Sequence, residues 1–153
     1  MSASPIEVVG QWLQNLLDPD VVNSVVAPDA TYVSLNTENA ELSKILPWAG
    51  TSRGPQAFLD KLGSIFTRWE VQAFNVTTMF ASDENVAVFG DFCYRSHSLD
   101  KTVSSPFSIL VKVVDGKVTY LQFLEDSYAT AASFRKDGSW TVQTEPGSEP
   151  FSV

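Results

Sequence analysis

Three carboxylates in apolar segments are the residues of this sequence best suited to do chemistry. Asp91 follows the apolar run 86–90, while Glu125 and Asp126 follow the apolar run 118–124. Acidic side chains are rare in strands and costly to bury without a partner. When apolar surroundings raise its pKa, a carboxylate can act as a general acid or base near neutral pH. Such acid or base chemistry is the first expectation for this chain.

Asp91 has two open interpretations. On a strand over 86–96, alternation places it on one face with Phe89, Cys93 and Arg95. It either forms an ion pair with Arg95 on an exposed face or serves as an acid in a pocket, where it would position or activate water.

Asp126 is the main candidate for the general acid or base. Neighbouring strand residues point to opposite faces, so either Glu125 or Asp126 faces inward. Asp126 could also be the N-cap of a short helix that follows, and a cap at the cavity rim could still be the pocket acid. We expect Asp126→Asn to fold and bind ligand without turnover.

Other reactive residue types point to no common site. The only histidine, His97, is interpreted as a solvated loop residue, and the only cysteine, Cys93, as a small buried one. Glycine-rich phosphate loops, nucleophile elbows and His/Cys metal spacings are absent from the sequence. We therefore predict neither a metal site nor a cofactor.

Composition indicates one soluble, cytoplasmic domain. The chain has 153 residues and a net charge of −8, from 10 basic and 18 acidic side chains. That charge repels a phosphate backbone and argues against a nucleic-acid partner. A single cysteine fits a reducing compartment. The first basic residue is Lys44, which argues against a cationic leader, and no apolar run is long enough to span a membrane.

The pattern along the chain predicts helices first and a long sheet afterwards. Helices are predicted over 5–17, 21–26 and 54–67, with Asp20 capping the second, and a strand over 30–35. Four long strands follow at 69–80, 86–96, 103–114 and 118–126, the last two joined by a two-residue turn at Asp115-Gly116. Residues 36–52 are predicted to be irregular and 129–134 to form a short helix.

These elements predict an α+β domain over residues 1–136 and a flexible C-terminal tail over 137–153. A curved, cone-shaped antiparallel sheet would wrap around the three N-terminal helices and enclose a pocket. Trp140 and Phe151 could tether the tail.

Aromatic side chains are the predicted lining of that pocket. Trp48 is favoured as a lid, because it lies in an irregular loop with little core to join. The other predicted ligand-binding residues are Tyr32, Phe58, Trp69, Phe89, Phe107 and Phe123, and further wall candidates are Trp12, Leu62 and Ile109.

Three segments of the chain resemble the nuclear transport factor 2-like superfamily. They are the turn into the first strand at 27–32, the glycine-containing turn at 50–58, and the hairpin at 115–118 followed by Asp126. This superfamily includes ketosteroid isomerases, SnoaL-like polyketide cyclases, scytalone dehydratases and limonene epoxide hydrolases. The resemblance covers about residues 6–134 and implies the α+β cone.

Residue by residue, the resemblance implies some activities and excludes one. The ketosteroid isomerase base falls at Ser34, its protonated aspartate falls near Ser108, and its tyrosine is missing from the first helix, so that activity is rejected. Asp126 matches the terminal acid of SnoaL-like cyclases. Asp126 and Asp91 match two members of the epoxide hydrolase Asp–Arg–Asp triad, whose arginine falls at Phe89.

Two functions are therefore predicted with equal weight, and a third is retained. The chain is either an enzyme that transfers a proton or adds water to a small apolar substrate, or a non-catalytic binding module using the same pocket. The third is a dimerisation or scaffold domain. Apolar residues on both faces of the strands at 86–96 and 103–114 predict a homodimer through the outer sheet face.

Overall fold

A six-stranded sheet and the helices packed on it make up most of the molecule. The structure is a computed structural model and describes residues 2–153. The helices are α1 (Pro5–Gln14), α2 (Pro19–Val25), α3 (Ala40–Ile45), α4 (Pro55–Arg68) and α5 (Ser127–Ala132). The sheet strands are β1 (Val26–Ser34), β2 (Gly50–Arg53), β3 (Trp69–Ser82), β4 (Asn85–Ser96), β5 (Thr102–Val114) and β6 (Lys117–Glu125). The α+β class and the curved sheet are confirmed.

The strand order is β2-β1-β6-β5-β4-β3. The first and the sixth strand in the chain, β1 and β6, are therefore neighbours inside the sheet. β1 and β6 are parallel, whereas every other neighbouring pair is antiparallel. The four long strands β3 to β6 pair antiparallel as predicted, and the parallel pairing of β1 with β6 is the one difference from the predicted antiparallel sheet. The local pattern of β1 could not reveal it, because its partner lies about 90 residues further along the chain.

Local signals placed most helix ends within a few residues. α1 begins after Ser4, whose backbone N–H and hydroxyl both donate to the Glu7 carboxylate. α2 is capped by Asp18 rather than by Asp20, since the Asp18 carboxylate accepts from the backbone N–H groups of Asp20 and Val21. Asp115 and Gly116 both have positive φ, as the tight turn between β5 and β6 requires.

Two elements lie where irregular structure was predicted. α3 is capped by Asn39, whose side-chain oxygen accepts from the backbone N–H of Leu42 at 3.0 Å. β2 adds an edge strand against β1. Both elements are only four to six residues long, too short for periodicity to stand out.

The C-terminal segment 137–153, for which a flexible tail is predicted, contains a small two-stranded sheet. β7 (Thr141–Val142) pairs with β8 (Phe151–Ser152), and Trp140 exchanges two backbone hydrogen bonds with Val153. Trp140 also packs edge-on against Tyr128, with ring centroids 5.5 Å apart. Trp140 thus joins the C-terminal segment to α5 through Tyr128, as expected. Residue 1 of the predicted domain lies outside the described residues.

The core lies between the helices and the concave face of the sheet. It contains Val9 and Trp12 from α1, Phe58 from α4 and the inward-facing residues of β4 and β5. Four aromatic rings stack across the strands at its centre. Phe107 lies 4.6 Å from Phe74, 5.5 Å from Phe123 and 6.4 Å from Phe92, centroid to centroid.

Gly90 makes this aromatic stack possible. It pairs with Phe107 across β4 and β5, and the Phe107 ring lies over its Cα. A Cβ atom at this position would come within 1.9 Å of the Asn75 carbonyl oxygen and 2.7 Å of Phe107 Cζ. Any side chain here would clash with both the β3 backbone and the Phe107 ring.

We expect Gly90→Ala to lower the free energy of unfolding by about 1–3 kcal/mol, the usual cost of overpacking. Gly10→Ala is the matched control, because no atom lies within 4 Å of a Cβ built on Gly10 in α1. That control should gain up to about 1 kcal/mol from helix propensity. Urea denaturation measures both, and equal stabilities for the two variants would contradict this role of Gly90.

Candidate active site

A cavity of about 220 Å³ opens between α1, α4 and the concave face of the sheet. Its lining is mostly apolar, with few polar groups among many aromatic and aliphatic ones. Such a combination is typical of small-molecule sites. The lining residues are Trp12, Leu13, Leu16, Tyr32, Ser34, Leu62, Ile65, Phe66, Trp69, Val71, Phe74, Phe92, Tyr94, Ile109, Phe123 and Glu125.

Glu125 brings the only carboxylate into this lining. It is the last residue of β6 and follows Leu121 and Phe123 on the inward face of that strand. Its Oε2 atom is inaccessible to solvent and has no hydrogen-bond partner in residues 2–153. A buried carboxylate oxygen without a partner favours the protonated form of the group.

The pKa of Glu125 is raised to about 7 by its surroundings. Burial is the main cause, because low polarity disfavours the charged carboxylate. An interaction with the Thr130 hydroxyl lowers the pKa by a smaller amount, and the neighbouring charge of Asp126 raises it. Glu125 can therefore give up or take up a proton near neutral pH, which suits a general acid or base.

Two tyrosines line the cavity as neutral hydrogen-bonding groups. Burial raises the pKa of Tyr32 to about 12, with a Ser34 hydrogen bond acting against it and the Glu125 charge adding to it. Burial and then the charge of Glu125 also raise the pKa of Tyr94. Both phenols keep their protons at neutral pH and can donate to an oxygen atom of a ligand.

Asp126, the predicted acid, does not line the cavity. It is exposed, and its Oδ1 atom accepts from the backbone N–H of Ala129 at 3.0 Å. It is the N-cap of α5, as its alternative interpretation stated. The choice of Asp126 as pocket acid is therefore wrong, because strand alternation turns Glu125 inward and Asp126 outward.

Asp91, the second predicted catalytic acid, does not line the cavity either. It is exposed on the outer face of β4 and accepts a hydrogen bond from the Asn75 amide at 3.0 Å. The expected ion pair with Arg95 is absent as well, since Arg95 binds Glu70 and Asp100. An epoxide-hydrolase-like set of two aspartates and an arginine is thus not assembled in the cavity.

Three of the seven predicted ligand-binding aromatics line the cavity, namely Tyr32, Trp69 and Phe123. The further wall candidates Trp12, Leu62 and Ile109 line it too. Phe58 and Phe107 do not. They are buried behind the lining, Phe58 against Tyr32 at 5.0 Å and Phe107 in the central stack.

The predictions that Trp48 and Phe89 bind a ligand are wrong for opposite reasons, since neither residue lines the cavity. Trp48 is fully buried rather than a lid, with its ring 4.8 Å from Trp69 and 6.3 Å from Phe134. Its neighbours come from β3 and from the segment after α5, so its loop has a core to join that the local sequence does not show. Phe89 is 43% exposed on the outer face, where it stacks on Phe80.

The remaining reactive side chains lie outside the cavity. His97 is exposed, as expected, whereas Cys93 is only half-buried on the outer face instead of fully buried. Within residues 2–153 no three His, Cys, Asp or Glu side chains gather as metal ligands would. No helix in the same range has the length and apolarity needed to cross a membrane.

Comparison with known proteins gives two clear relatives. Patulin synthesis protein F of Aspergillus clavatus is 38% identical over 141 residues, which are 89% of this chain and 71% of that protein. Patulin biosynthesis cluster protein F of Penicillium expansum is 36% identical over 144 residues, 91% of this chain and 72% of that protein. No family model matches the chain.

Solved structures confirm the fold. An NTF2-like protein from Burkholderia xenovorans has a TM-score of 0.74 at 22% identity, covering 86% of this chain and 95% of its own. TerC, co-crystallized with polyporic acid, has a TM-score of 0.69 at 20% identity, covering 86% and 98%. A SnoaL-like polyketide cyclase described from Mesorhizobium loti has a TM-score of 0.62 at 16% identity, covering 79% and 98%. The nuclear transport factor 2-like fold implied by the sequence resemblance is thereby confirmed.

Burial of Glu125 should make stability depend on pH. The unfolded chain releases this proton near the ordinary value of 4.5, whereas the folded chain holds it to about 7. The folded state therefore binds more protons between these values, and the free energy of unfolding falls as the pH rises from 4.5 to 7. The expected loss is about 3 kcal/mol, from about 1.4 kcal/mol for each pKa unit.

Glu125→Gln removes this titration while keeping the side chain's shape. The difference in unfolding free energy between wild type and the Gln variant, measured in urea at pH 4.5, 5.5, 6.5 and 7.5, should follow the slope described above. A difference that stays constant across this range would show that Glu125 titrates normally.

Proposed function

The chain belongs to the family of the patulin synthesis F proteins, and on that basis we propose that it is an enzyme of small-molecule biosynthesis. It binds a small, mostly apolar substrate in the cavity and moves a proton to or from it through Glu125. The observation on which this rests is the single buried carboxylate of the lining, which has an unpartnered oxygen and a pKa of about 7. No cofactor is part of the proposed reaction.

The cavity supports proton transfer better than it supports epoxide hydrolysis, since neither Asp91, Asp126 nor an arginine of the described residues lines it. One group that is half-protonated near neutral pH can act as base in one step and as acid in the next. The phenols of Tyr32 and Tyr94 can donate hydrogen bonds to an oxygen on which negative charge develops, because both stay protonated. Isomerisation, cyclisation and dehydration all need a proton moved in this way.

The comparisons support a role in biosynthesis. Both curated relatives are named for the synthesis of patulin, and TerC was crystallized with polyporic acid. Those names concern other proteins. For this chain we propose a role of the same kind, the conversion of a small intermediate on the way to a secondary product.

A strain of Penicillium expansum without its own cluster protein F offers a direct test. We expect this chain to restore patulin production, measured by chromatography of culture extracts, and Glu125→Gln to abolish the restoration. Asp126→Asn should restore it as well as wild type, because asparagine caps a helix about as well as aspartate. Asp126→Ala should restore it too while lowering stability by about 0.5–2 kcal/mol.

Each outcome separates two interpretations. If the wild-type chain fails to restore production although it is expressed, it does not perform this step. If Glu125→Gln restores production fully, the carboxylate has no catalytic role, and a non-catalytic binding module is then the better description. Immunoblots show whether each variant accumulates equally.

We also propose that the chain forms a homodimer through the outer face of the sheet. Five apolar residues of this face lie close together on strands β3 to β6. Ala87 pairs with Phe80 on one side and with Leu110 on the other. Phe89 and Leu124 pair with Ser108 from its two sides. Phe80, Phe89, Leu110 and Leu124 are each more than 40% exposed. A contiguous apolar patch of this kind is typical of an interface, and a two-fold contact closes it.

Phe89→Lys should convert the dimer to a monomer, because a charge would be buried at the centre of the proposed interface. Ile45→Lys is the matched control, since Ile45 in α3 is 45% exposed and lies away from this face. Sedimentation velocity at micromolar concentrations reports both. A wild-type protein that sediments only as a monomer would contradict the proposed dimer.

A further inference from the structure

Trp12 presents a second unpartnered polar group among the residues of the cavity. It lies on α1, is only 2% exposed and belongs to the cavity lining. Its indole Nε1 atom is inaccessible to solvent and has no hydrogen-bond partner in the described part of the chain. An indole nitrogen is a donor only, so an acceptor is the one kind of partner that can satisfy it.

The ring of Trp12 is held in place by its neighbours. It meets Phe58 edge-on, with centroids 6.3 Å apart and planes at 83°. The other tryptophan in the lining differs in one respect: the Trp69 Nε1–H donates to the Ser133 hydroxyl at 3.0 Å. Of the two lining indoles, one has a protein acceptor and the other does not.

A buried donor without an acceptor is costly, and proteins usually satisfy such groups. Glu125 in the same lining also has an unpartnered polar atom, its buried Oε2. When protonated, Glu125 can donate a hydrogen bond, and when ionised it can accept one. Together these two groups complement a molecule that has an oxygen acceptor and a separate site for proton exchange.

We infer that Trp12 is a specificity-determining residue: its Nε1–H donates to an oxygen atom of the ligand and so orients the reacting part of the ligand toward Glu125. This inference rests on the proposed function, because it needs a ligand in the cavity. The Trp12 donor would favour uncharged ring compounds with a carbonyl or ether oxygen over hydrocarbons of the same shape. Anionic ligands are disfavoured, since no Lys, Arg or His of residues 2–153 lines the cavity and Glu125 would repel them when ionised.

Acetophenone and ethylbenzene form a suitable probe pair, because they share size and shape and only the ketone accepts a hydrogen bond. We expect the wild-type protein to bind acetophenone more tightly. Trp12→Phe should weaken acetophenone binding about three- to tenfold, the net value of one hydrogen bond, and leave ethylbenzene binding unchanged. Protein-observed NMR titration gives both dissociation constants.

Trp48→Phe is the matched control. The Trp48 Nε1 atom is likewise buried and unpartnered, but Trp48 does not line the cavity. Its loss should therefore leave the preference for acetophenone intact. Equal weakening of both probes by Trp12→Phe would show a packing effect and overturn the inference.

The wild-type protein provides a test that does not depend on how the variants fold. With ¹⁵N-labelled indoles, the Trp12 Nε1–H resonance should move downfield when acetophenone is added and stay in place with ethylbenzene. Binding of acetophenone without this shift would overturn the role of Trp12 alone. Failure of the wild-type cavity to bind either probe at millimolar concentration would overturn the inference together with the proposed ligand site.

Glu125→Gln separates this inference from the proposed catalysis. It should keep the acetophenone preference and the Trp12 shift while abolishing restoration of patulin production. Loss of the preference in Glu125→Gln, with the preference kept in Trp12→Phe, would assign the recognition of the oxygen atom to Glu125 instead.

Discussion

Burial of one carboxylate oxygen without a partner is the constraint on which the candidate site depends. Glu125 ends a strand whose inward residues are otherwise apolar, and its Oε2 atom finds no donor in residues 2–153. A charge is costly in such a place, so the folded protein retains the proton to about pH 7. The same burial that weakens the fold at neutral pH gives the cavity its one group able to exchange a proton there. The stability of the fold and the raised pKa of the carboxyl group are thus opposed at a single residue.

The surroundings of Glu125 are built mainly from side chains that have no charge of their own. Phe74, Phe92 and Phe123 line the cavity and stack on Phe107, which lies behind them. This stack is possible only because Gly90 leaves room for the Phe107 ring. Asp126 contributes from outside the cavity by capping α5, the helix that holds the buried Thr130 near Glu125. Of the two neighbouring acids, Asp126 caps a helix and Glu125 is buried at the cavity.

Much of the fold could be predicted from local patterns, and the site only in part. Long alternating strands, the Asp115-Gly116 turn and the capped first helix follow from residue types and spacing. The inward direction of Glu125 was also within reach, because it shares the parity of Leu121 and Phe123, whereas Asp126 shares that of Gln122 and Leu124. Trp48 could not be placed, since its partners Trp69 and Phe134 lie 21 and 86 residues away in the chain.

The central pairing of β1 with β6 delays the folding of the sheet during synthesis, because the two strands lie about 90 residues apart in the chain. Tyr32 and Glu125 both line the cavity, yet they come from strands that pair only after most of the chain has been synthesised. Contacts between residues so distant in sequence close a long loop and form slowly. On the ribosome, β1 and its edge partner β2 must therefore wait for β6 to emerge, leaving apolar strand edges uncovered in the meantime. The cavity is therefore among the last parts of this fold to form.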